Sequence, residues 1–303
     1  MNFKLKQKLI KIKPLLKTYL FLKRVKNNMA FLLTKDIEKL PRQYDMEFLR
    51  HEMSYELSRT HDPVIKSVDE TLDVLINTEK SLCRFGDGEF ENILKSPSPF
   101  QYTNLDKISE RLLEVLRSTR EDICICLPRK MFEGKQNISV SEQCFWRQPY
   151  IKKFYKLVED NCSTKYNYYS TEVSMPFTYE NFDIKSFFDK IRKIWHKKDI
   201  TLIANKNIFK GLTYNIFENA KSLDIINAPS KNAFSSYDSI LKQALKVNKQ
   251  RLIIIILGQT ATVLAYDLAL RGYRALDFGH IAKTYDWYKK GKLSNYKEFF
   301  KPD

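Results

Sequence analysis

Apolar residues recur along the chain in two patterns, the spacing of amphipathic helices and the continuous runs of buried strands. Helical spacing predicts helices over residues 64–77 and 105–116, and most of residues 35–80 has helical character. Short apolar runs that end at turn residues predict strands, at 81–85, 123–127, 200–204, 222–227 and 252–257. Helices are predicted between the later strands, at 214–220, 237–246 and from Thr260 or Thr262 to Leu270. This alternation predicts an α/β fold, a Rossmann-like, mostly parallel sheet with flanking helices.

The segment between residues 129 and 180 follows neither pattern and is rich in aromatic residues, for example Phe145-Trp146 and Tyr168-Tyr169. Aromatic faces can stack on sugar rings, so the segment could form a platform for a carbohydrate. Large aromatic side chains are more often buried, and we therefore expect most of these residues to belong to an irregular part of the core.

The first 30 residues contain nine basic side chains and no acidic one, which is more than half of the formal net charge of +16. Their apolar residues fall on one face of a helix, which Pro14 is expected to kink, at Leu5, Leu9, Ile12, Leu16 and Leu20. Lysines interrupt every apolar run, so none reaches the roughly 18 residues of a spanning helix. We expect residues 1–45 to bind an anionic membrane surface, and residues 46–303 to form the main domain. The segment could instead cover an apolar groove, pair with an acidic partner or bind nucleic acid. Because no nucleic-acid module follows it, we do not expect nucleic acid as a partner.

A chain of 303 residues with 43% hydrophobic residues can bury a sizeable core. Its five cysteines show no zinc-type pairing, and Cys124 and Cys126 alternate with isoleucines as in a strand. Reduced thiols without a secretory signal predict a cytoplasmic protein, and the basic segment predicts a peripheral position at the inner face of the cell membrane. Neither a GxGxxG segment nor a Walker A lysine loop is present, which argues against nicotinamide enzymes and P-loop NTPases.

Two carboxylates stand two residues apart in a glycine-flanked turn directly after the first predicted strand, in Arg84-Phe85-Gly86-Asp87-Gly88-Glu89-Phe90. Asp87 and Glu89 offer oxygen ligands, and the adjacent glycines let the backbone aim both at one Mn²⁺ or Mg²⁺ ion when a phosphate supplies further ligands. Asp-Gly is also an ordinary turn dipeptide, so these residues alone leave a simple turn equally open.

Gly258, Thr260 and Thr262 follow the most apolar predicted strand and open the next helix. Free backbone N–H groups and hydroxyls at such a helix start are a usual phosphate site in an open α/β sheet. A metal-binding turn and a phosphate-binding helix start are together what a nucleotide-sugar glycosyltransferase requires.

Three ordered segments resemble the GT-D glycosyltransferases, a family once known only as a domain of unknown function. The first is the segment around Asp87 and Glu89, the second is Lys231-Asn232-Ala233-Phe234 with Tyr237-Asp238, and the third runs from Leu257 through Asp277-Phe278-Gly279-His280 to Tyr288. The resemblance covers roughly residues 57–288 and implies a GT-D fold, a UDP-sugar donor and a metal held by Asp87 and Glu89.

The resembling segments also supply the other candidate site residues. The donor-binding candidates are Arg84, Phe85, Gly86, Lys231, Asn232, Gly258, Thr260 and Thr262. Arg84 offers a fork and Lys231 a point charge for a diphosphate, although a surface ion pair is an equally good account of Lys231. The candidates for the base that deprotonates an acceptor hydroxyl are Asp277, His280 and Asp286, and His280 could instead be a core histidine or a phosphate donor.

The sequence therefore predicts a metal-dependent glycosyltransferase that moves a hexose from a UDP-sugar to a glycan or lipid-linked oligosaccharide, in bacterial surface polysaccharide or glycoprotein synthesis. Two alternatives come from other classes of protein. A metal-dependent nucleotide phosphohydrolase would use the same carboxylates, and an inactive membrane-bound scaffold would follow if departures from the family pattern, such as Met175, Ala282 and Thr284, had removed nucleotide binding.

Overall fold

The structure is a computed structural model that describes residues 62–132, 142, 145–146, 151–176, 179 and 182–293. The predictions for the basic N-terminal segment, for the boundary between residues 45 and 46 and for helices over residues 35–61 lie outside these residues. Within the described ranges, no helix is both long enough and apolar enough to pass through a bilayer.

Seven strands form one sheet in which every neighbouring pair is parallel, in the spatial order β3-β2-β1-β7-β6-β4-β5. The strands are β1 Ser81–Arg84, β2 Ile123–Leu127, β3 Tyr169–Ser170, β4 Asp199–Ala204, β5 Ser222–Asn227, β6 Leu252–Ile256 and β7 Ala275–Asp277. The α/β prediction is therefore confirmed. Because all strands run the same way, the segments that follow them emerge at one edge of the sheet, the carboxyl edge.

Eight α-helices have both ends within the described ranges: α1 Val68–Asn77, α2 Asp87–Ile93, α3 Leu105–Leu116, α4 Lys152–Asn161, α5 Ile184–Ile191, α6 Tyr237–Ala244, α7 Gln259–Ala269 and α8 Ile281–Lys289. The helix predicted over 105–116 is confirmed at both ends. The helix predicted from residue 64 begins later, because Ser67 caps α1 by accepting from the Glu70 amide, while the Glu70 carboxylate accepts from the Ser67 amide at 2.8 Å.

The core lies around β6 and α7, at the middle of the sheet. Four of the five residues of β6 are buried, and every residue of α7 is buried, so this helix has no solvent face. A parallel strand covered on both faces reads as a continuous apolar run, as β6 does. The helix start of α7 therefore has a fixed position relative to the sheet edge.

One helix predicted in the second half of the fold is absent from the structure. Residues 214–220 form turns where a helix was expected. The side chain of Asn215 accepts from the Phe217 amide at 3.0 Å, and Asp286 accepts from the Thr213 and Tyr214 amides. The Asn215 side chain is a local acceptor and Asp286 a distant one, and together they hold the backbone donors of this segment in a conformation that is not helical.

The aromatic segment is more regular than its sequence indicates, since it contains helix α4 and strand β3. Its described aromatic residues are mostly core: Trp146, Tyr166, Tyr168 and Tyr169 are each less than 9% exposed. The Tyr166 hydroxyl donates to the Ile123 carbonyl at 2.5 Å, which satisfies its polar end inside the protein. For these residues the expectation of burial is confirmed.

Candidate active site at the carboxyl edge of the sheet

The segment after β1 forms a helix start where the sequence suggested a turn. Asp87 is the first residue of α2, Glu89 is the third, and Gly86 is the N-cap. The Glu89 carboxylate turns back and accepts from the Gly86 amide at 2.7 Å. A Cβ at Gly86 would lie 3.3 Å from that carboxylate, which explains why this N-cap has no side chain. Both carboxylates are thus held in the first turn of one helix, at the positive end of its dipole.

Arg84, the last residue of β1, makes a buried ion pair with Asp277, the last residue of the neighbouring strand β7. Its Nε donates to the Asp277 carbonyl at 2.7 Å and its Nη2 to the Asp277 carboxylate at 2.9 Å, while Nη1 donates to the Ser174 hydroxyl at 2.6 Å. The Asp277 side chain is 1% exposed. Because every nitrogen of the guanidinium is used inside the protein, Arg84 joins three loops of the site before any ligand is present.

Gly279 completes this arrangement by its lack of a side chain. It adopts φ of +46°, and a Cβ there would overlap Arg84 Nη2 and lie 3.1 Å from Cζ. The Gly279 amide also donates to the Asp277 carboxylate at 3.2 Å. A glycine is therefore needed here both for the left-handed backbone and for the close approach of the guanidinium.

Asp87 and Glu89 have no ion-pair partner among the described residues, unlike Asp277. Burial, with the negative charge of Asp277, raises the pKa of Glu89 to about 7, although Arg84 acts in the opposite direction. Although the Asp87 side chain is exposed, the surrounding protein partly desolvates its carboxylate and raises its pKa. Two unneutralised carboxylates in one helical turn are a donor set that suits a divalent cation.

The ion would need further ligands from outside these two residues. In the described ranges, no group of three or more histidine, cysteine, aspartate or glutamate side chains is placed to hold a metal. Mg²⁺ and similar ions in nucleotide sites commonly use one or two carboxylates together with water and substrate phosphates. Asp87 and Glu89 fit such a site and do not fit an all-protein metal cage.

The start of α7 faces the same edge, after β6. Gly258 is the N-cap, with φ of +53°, and it has no side chain that could cap the helix. The helix begins at Gln259, whereas the sequence predicted a start at Thr260 or Thr262. The Thr262 hydroxyl donates to the Arg84 carbonyl at 2.8 Å and is therefore used within the fold. The Thr260 hydroxyl is buried and has no hydrogen-bond partner among the described residues. Of the two threonines, only Thr260 keeps unused hydrogen-bonding capacity.

Asn232 holds a neighbouring loop in place. The Asn232 side-chain oxygen accepts from the backbone amides of Tyr102 and Thr103 at 2.9 and 3.1 Å. The Asn232 backbone amide donates to the Phe100 carbonyl at 2.7 Å. Phe100 in turn lies against Gly258, where a Cβ would be 3.0 Å from the Phe100 Cβ. Asn232 thus positions one wall of the site, while Lys231 beside it is exposed and in no ion pair with a described residue.

The three candidate bases have different surroundings. Asp277 is paired with Arg84, and Asp286 is buried within α8, where it accepts from two loop amides and from Lys290 at 2.6 Å. Burial alone would raise the pKa of Asp286, but these hydrogen bonds lower it overall. His280 lies at the start of α8 with its ring 5.6 Å from that of Phe100. Burial, with the charge of Arg84, lowers its pKa to about 4, so the ring is neutral at pH 7.

Two of the predicted site residues, Phe85 and Asp286, have side chains that contact only other parts of the fold among the described residues. The Phe85 side chain has no exposed surface and lies 6.1 Å from the Phe90 ring, because it is part of the core beneath α2. Asp286 holds the loop at residues 213–214. The expectation that the Phe85 side chain contacts a donor, or that Asp286 meets an acceptor, does not agree with these positions.

Sequence reasoning missed Ser174 and Gln259. The Ser174 hydroxyl accepts a hydrogen bond from Arg84, which is 90 residues away in the sequence, and no local sequence pattern predicts such a contact. Gln259 stands next to Gly258, and a polar residue that opens an otherwise apolar helix was a usable signal. A cavity of about 520 Å³ between α1 and α5 contains none of the predicted site residues.

Comparison with known proteins places the fold and the site in context. Residues 82–297 match the family model described as the glycosyltransferase GT-D fold. The chain is 34% identical over 234 residues to a probable glycosyl transferase Gly from Streptococcus gordonii, and 32% identical over 235 residues to glycosyltransferase GlyD from Streptococcus pneumoniae serotype 4. These alignments cover 75% and 77% of this chain but 33% and 28% of the relatives, so the chain spans about a third of their length.

Solved structures agree with this assignment. A structure of the conserved domain of unknown function 1792, described as a distinct glycosyltransferase fold, is 30% identical with a TM-score of 0.71, over 76% of this chain and 83% of that one. A glycosyltransferase of the same domain type from Streptococcus sanguinis is also 30% identical with a TM-score of 0.71, over 77% of this chain and 87% of the other.

Proposed function

Because the chain belongs to the GT-D glycosyltransferase family, we propose that it transfers a hexose from a UDP-sugar to a glycan or lipid-linked oligosaccharide acceptor, with the help of Mn²⁺ or Mg²⁺. The surface polysaccharides and glycoproteins of bacteria contain acceptors of this kind. The observation that carries the proposal is the pair of unneutralised carboxylates, Asp87 and Glu89, at the same sheet edge as the uncapped helix start at Gly258.

Each part of this edge has a separate task in the proposed reaction. Asp87 and Glu89 hold the cation, and the first amides of α7 with the Thr260 hydroxyl bind the donor diphosphate. A bound divalent cation supplies Lewis-acid stabilisation of the negative charge that develops on the departing nucleoside diphosphate. Arg84 keeps Asp277 and Ser174 in place with one N–H of each of its three nitrogens, and the second N–H groups of Nη1 and Nη2 can donate to the diphosphate.

Of the three candidate bases, His280 suits the task best. Its ring is neutral at pH 7 and can accept a proton, although the burial and the Arg84 charge that hold its pKa near 4 make it a weak base. The carboxylates of Asp277 and Asp286 are held in ion pairs with Arg84 and Lys290. A His280→Gln variant should lower kcat more than it raises the KM for the donor. A raised KM with an unchanged kcat would instead assign His280 to donor binding.

Calorimetric titration with UDP, with and without Mn²⁺, tests the donor and the metal together. The wild-type protein should bind UDP more tightly with Mn²⁺, and an Asp87→Ala/Glu89→Ala variant should lose that dependence. Asp106→Ala/Glu110→Ala, which removes two exposed carboxylates from α3, is the matched control and should bind as the wild type does. If the wild-type protein does not bind UDP either with or without Mn²⁺, the UDP-sugar assignment is refuted.

We also propose that the basic N-terminal segment holds the enzyme on an anionic membrane, at the inner face of the cell membrane, where a lipid-linked acceptor is available. The sequence pattern is the support for this, through nine basic residues interleaved with apolar ones. The full chain should sediment with vesicles that contain phosphatidylglycerol and not with phosphatidylcholine vesicles. Replacement of Lys4, Lys6, Lys8 and Lys11 by glutamine should weaken this binding, and undiminished binding would count against the segment as the anchor.

A further inference from the structure

Two buried polar atoms at the start of α7 have no hydrogen-bond partner within the described part of the chain. They are Oε1 of Gln259, a residue that is 5% exposed, and Oγ1 of Thr260, a residue that is 1% exposed. Buried polar side chains in proteins are nearly always hydrogen-bonded, so two adjacent exceptions require an explanation. They lie at the uncapped start of an 11-residue helix, where a ligand is the simplest missing partner.

The Gln259 carboxamide lies directly on the backbone of the carboxylate segment. A Cβ on Gly88 would overlap the Gln259 Nε2 atom and would lie 3.2 Å from Cδ. Gly88 stands between Asp87 and Glu89, so the amide is adjacent to the residues proposed to hold the cation. A donor whose diphosphate met this cation would bring its sugar, and not its nucleobase, to the metal end of the site.

The chemistry of the amide selects the kind of group that it can bind. A buried carbonyl oxygen needs a hydrogen-bond donor, and a diphosphate at neutral pH has no hydrogen to give. A sugar hydroxyl both donates and accepts, so it satisfies the amide whichever way its oxygen and nitrogen are oriented. The cation and the helix amides already provide for the phosphates, which leaves the hydroxyls of the sugar without a partner.

From these contacts we infer that Gln259 binds a hydroxyl group of the transferred hexose and contributes to the choice of donor sugar. The inference rests on the proposed function, because it requires a UDP-hexose in the site. It adds a residue that recognises the sugar, as distinct from those that hold the nucleoside diphosphate. Such a residue should affect the binding of UDP-hexoses while leaving that of UDP nearly unchanged.

The test is calorimetric titration of a Gln259→Met variant with UDP, UDP-glucose and UDP-galactose in the presence of Mn²⁺. Methionine keeps the length of the side chain and removes both polar atoms. Affinity for UDP should stay within about twofold of the wild-type value, and affinity for the UDP-hexose that the wild type binds best should fall about tenfold, the usual effect of one lost hydrogen bond. Gln243→Met, in an exposed part of α6, is the matched control and should change neither.

A second variant reaches the same amide from the other side. Gly88→Ala should displace the carboxamide and lower the affinity for the UDP-hexose as Gln259→Met does, while the UDP comparison is made with Gln259→Met because Gly88 lies between Asp87 and Glu89. Thermal unfolding should verify that both variants are folded. Equal losses for UDP and the UDP-hexose in Gln259→Met would assign Gln259 to the nucleoside diphosphate and overturn the inference, as would no loss at all. Wild-type protein that binds neither UDP nor a UDP-hexose would refute the proposed function and this inference together.

Discussion

The ion pair between Arg84 and Asp277 is expected to be a main contributor to the stability of the site. Its two side chains are 15% and 1% exposed, and the guanidinium and carboxylate are 2.9 Å apart. Arg84 ends β1 and Asp277 ends β7, so the pair joins two neighbouring strands at the edge where the site is built. The perturbation that tests this role is removal of each partner alone and then of both together.

Removing one partner leaves the other as an unpaired buried charge. Breaking a buried ion pair in this way typically costs about 3–5 kcal/mol of unfolding free energy. Arg84 also loses its hydrogen bond to Ser174 when it is replaced, so Arg84→Met should cost at least as much as Asp277→Ala. The double variant removes both charges of the pair, so its loss of unfolding free energy should be clearly smaller than the sum of the losses of the two single variants.

Urea unfolding, followed by circular dichroism, gives the three free energies and their coupling. The exposed pair Arg120–Asp122, whose side chains are 48% and 53% exposed, provides the control, and Asp122→Ala should cost less than about 1 kcal/mol. If Asp277→Ala also cost less than about 1 kcal/mol, or if the two single effects simply added, the buried pair would not stabilise the site as argued here.

Three further predictions concern the same edge. Because burial raises the pKa of Glu89 to about 7, protons should compete with the cation, so Mn²⁺-dependent UDP affinity should fall between pH 8 and pH 6; constant affinity would contradict this. Gly279→Ala should destabilise the protein more than Gly211→Ala in thermal unfolding, because both have positive φ but only Gly279 lies against Arg84; equal losses would leave backbone strain as the whole effect. Since burial lowers the pKa of His280 to about 4, its contribution to stability is present above its ordinary value of 6.5 and is lost as pH falls towards 4. His280→Gln should flatten urea stability over that range, and an unchanged slope would show that other groups control it.

Much of the fold was predictable because buried strands and amphipathic helices leave direct traces in the order of apolar residues. The strands Ile123–Leu127 and Ser222–Asn227 and the helix Leu105–Leu116 begin and end at the predicted residues. The prediction was wrong at residues 214–220, where the competing acceptor, Asp286, is about 70 positions away in the chain. A distant side chain leaves no mark on the local pattern of residues.

In the candidate site, too, the sequence predicted which segments meet but not which side chains bond to one another. The nearness of the carboxylate segment to the segments at Gly258 and Asp277 follows from their places at the ends of parallel strands. The partners of the individual side chains do not follow from it. Arg84 was expected to meet a diphosphate and is also bonded to Asp277 and Ser174, whereas Gln259 received no role and its side-chain oxygen has no partner among the described residues.

The sequence alone therefore determined the α/β class, most strand and helix positions, the family and the residues that reach one edge of the sheet, because each depends on local periodicity or on short ordered segments. Only the tertiary structure decided which polar groups neutralise one another and which remain available. Among the residues that the structure describes, Asp277 is in an ion pair while Asp87 and Glu89 are not, and the Thr262 hydroxyl is hydrogen-bonded while that of Thr260 is not. That distinction depends on distances of about 3 Å between segments far apart in the chain, which hydrogen bonds and ion pairs require and which no linear pattern records.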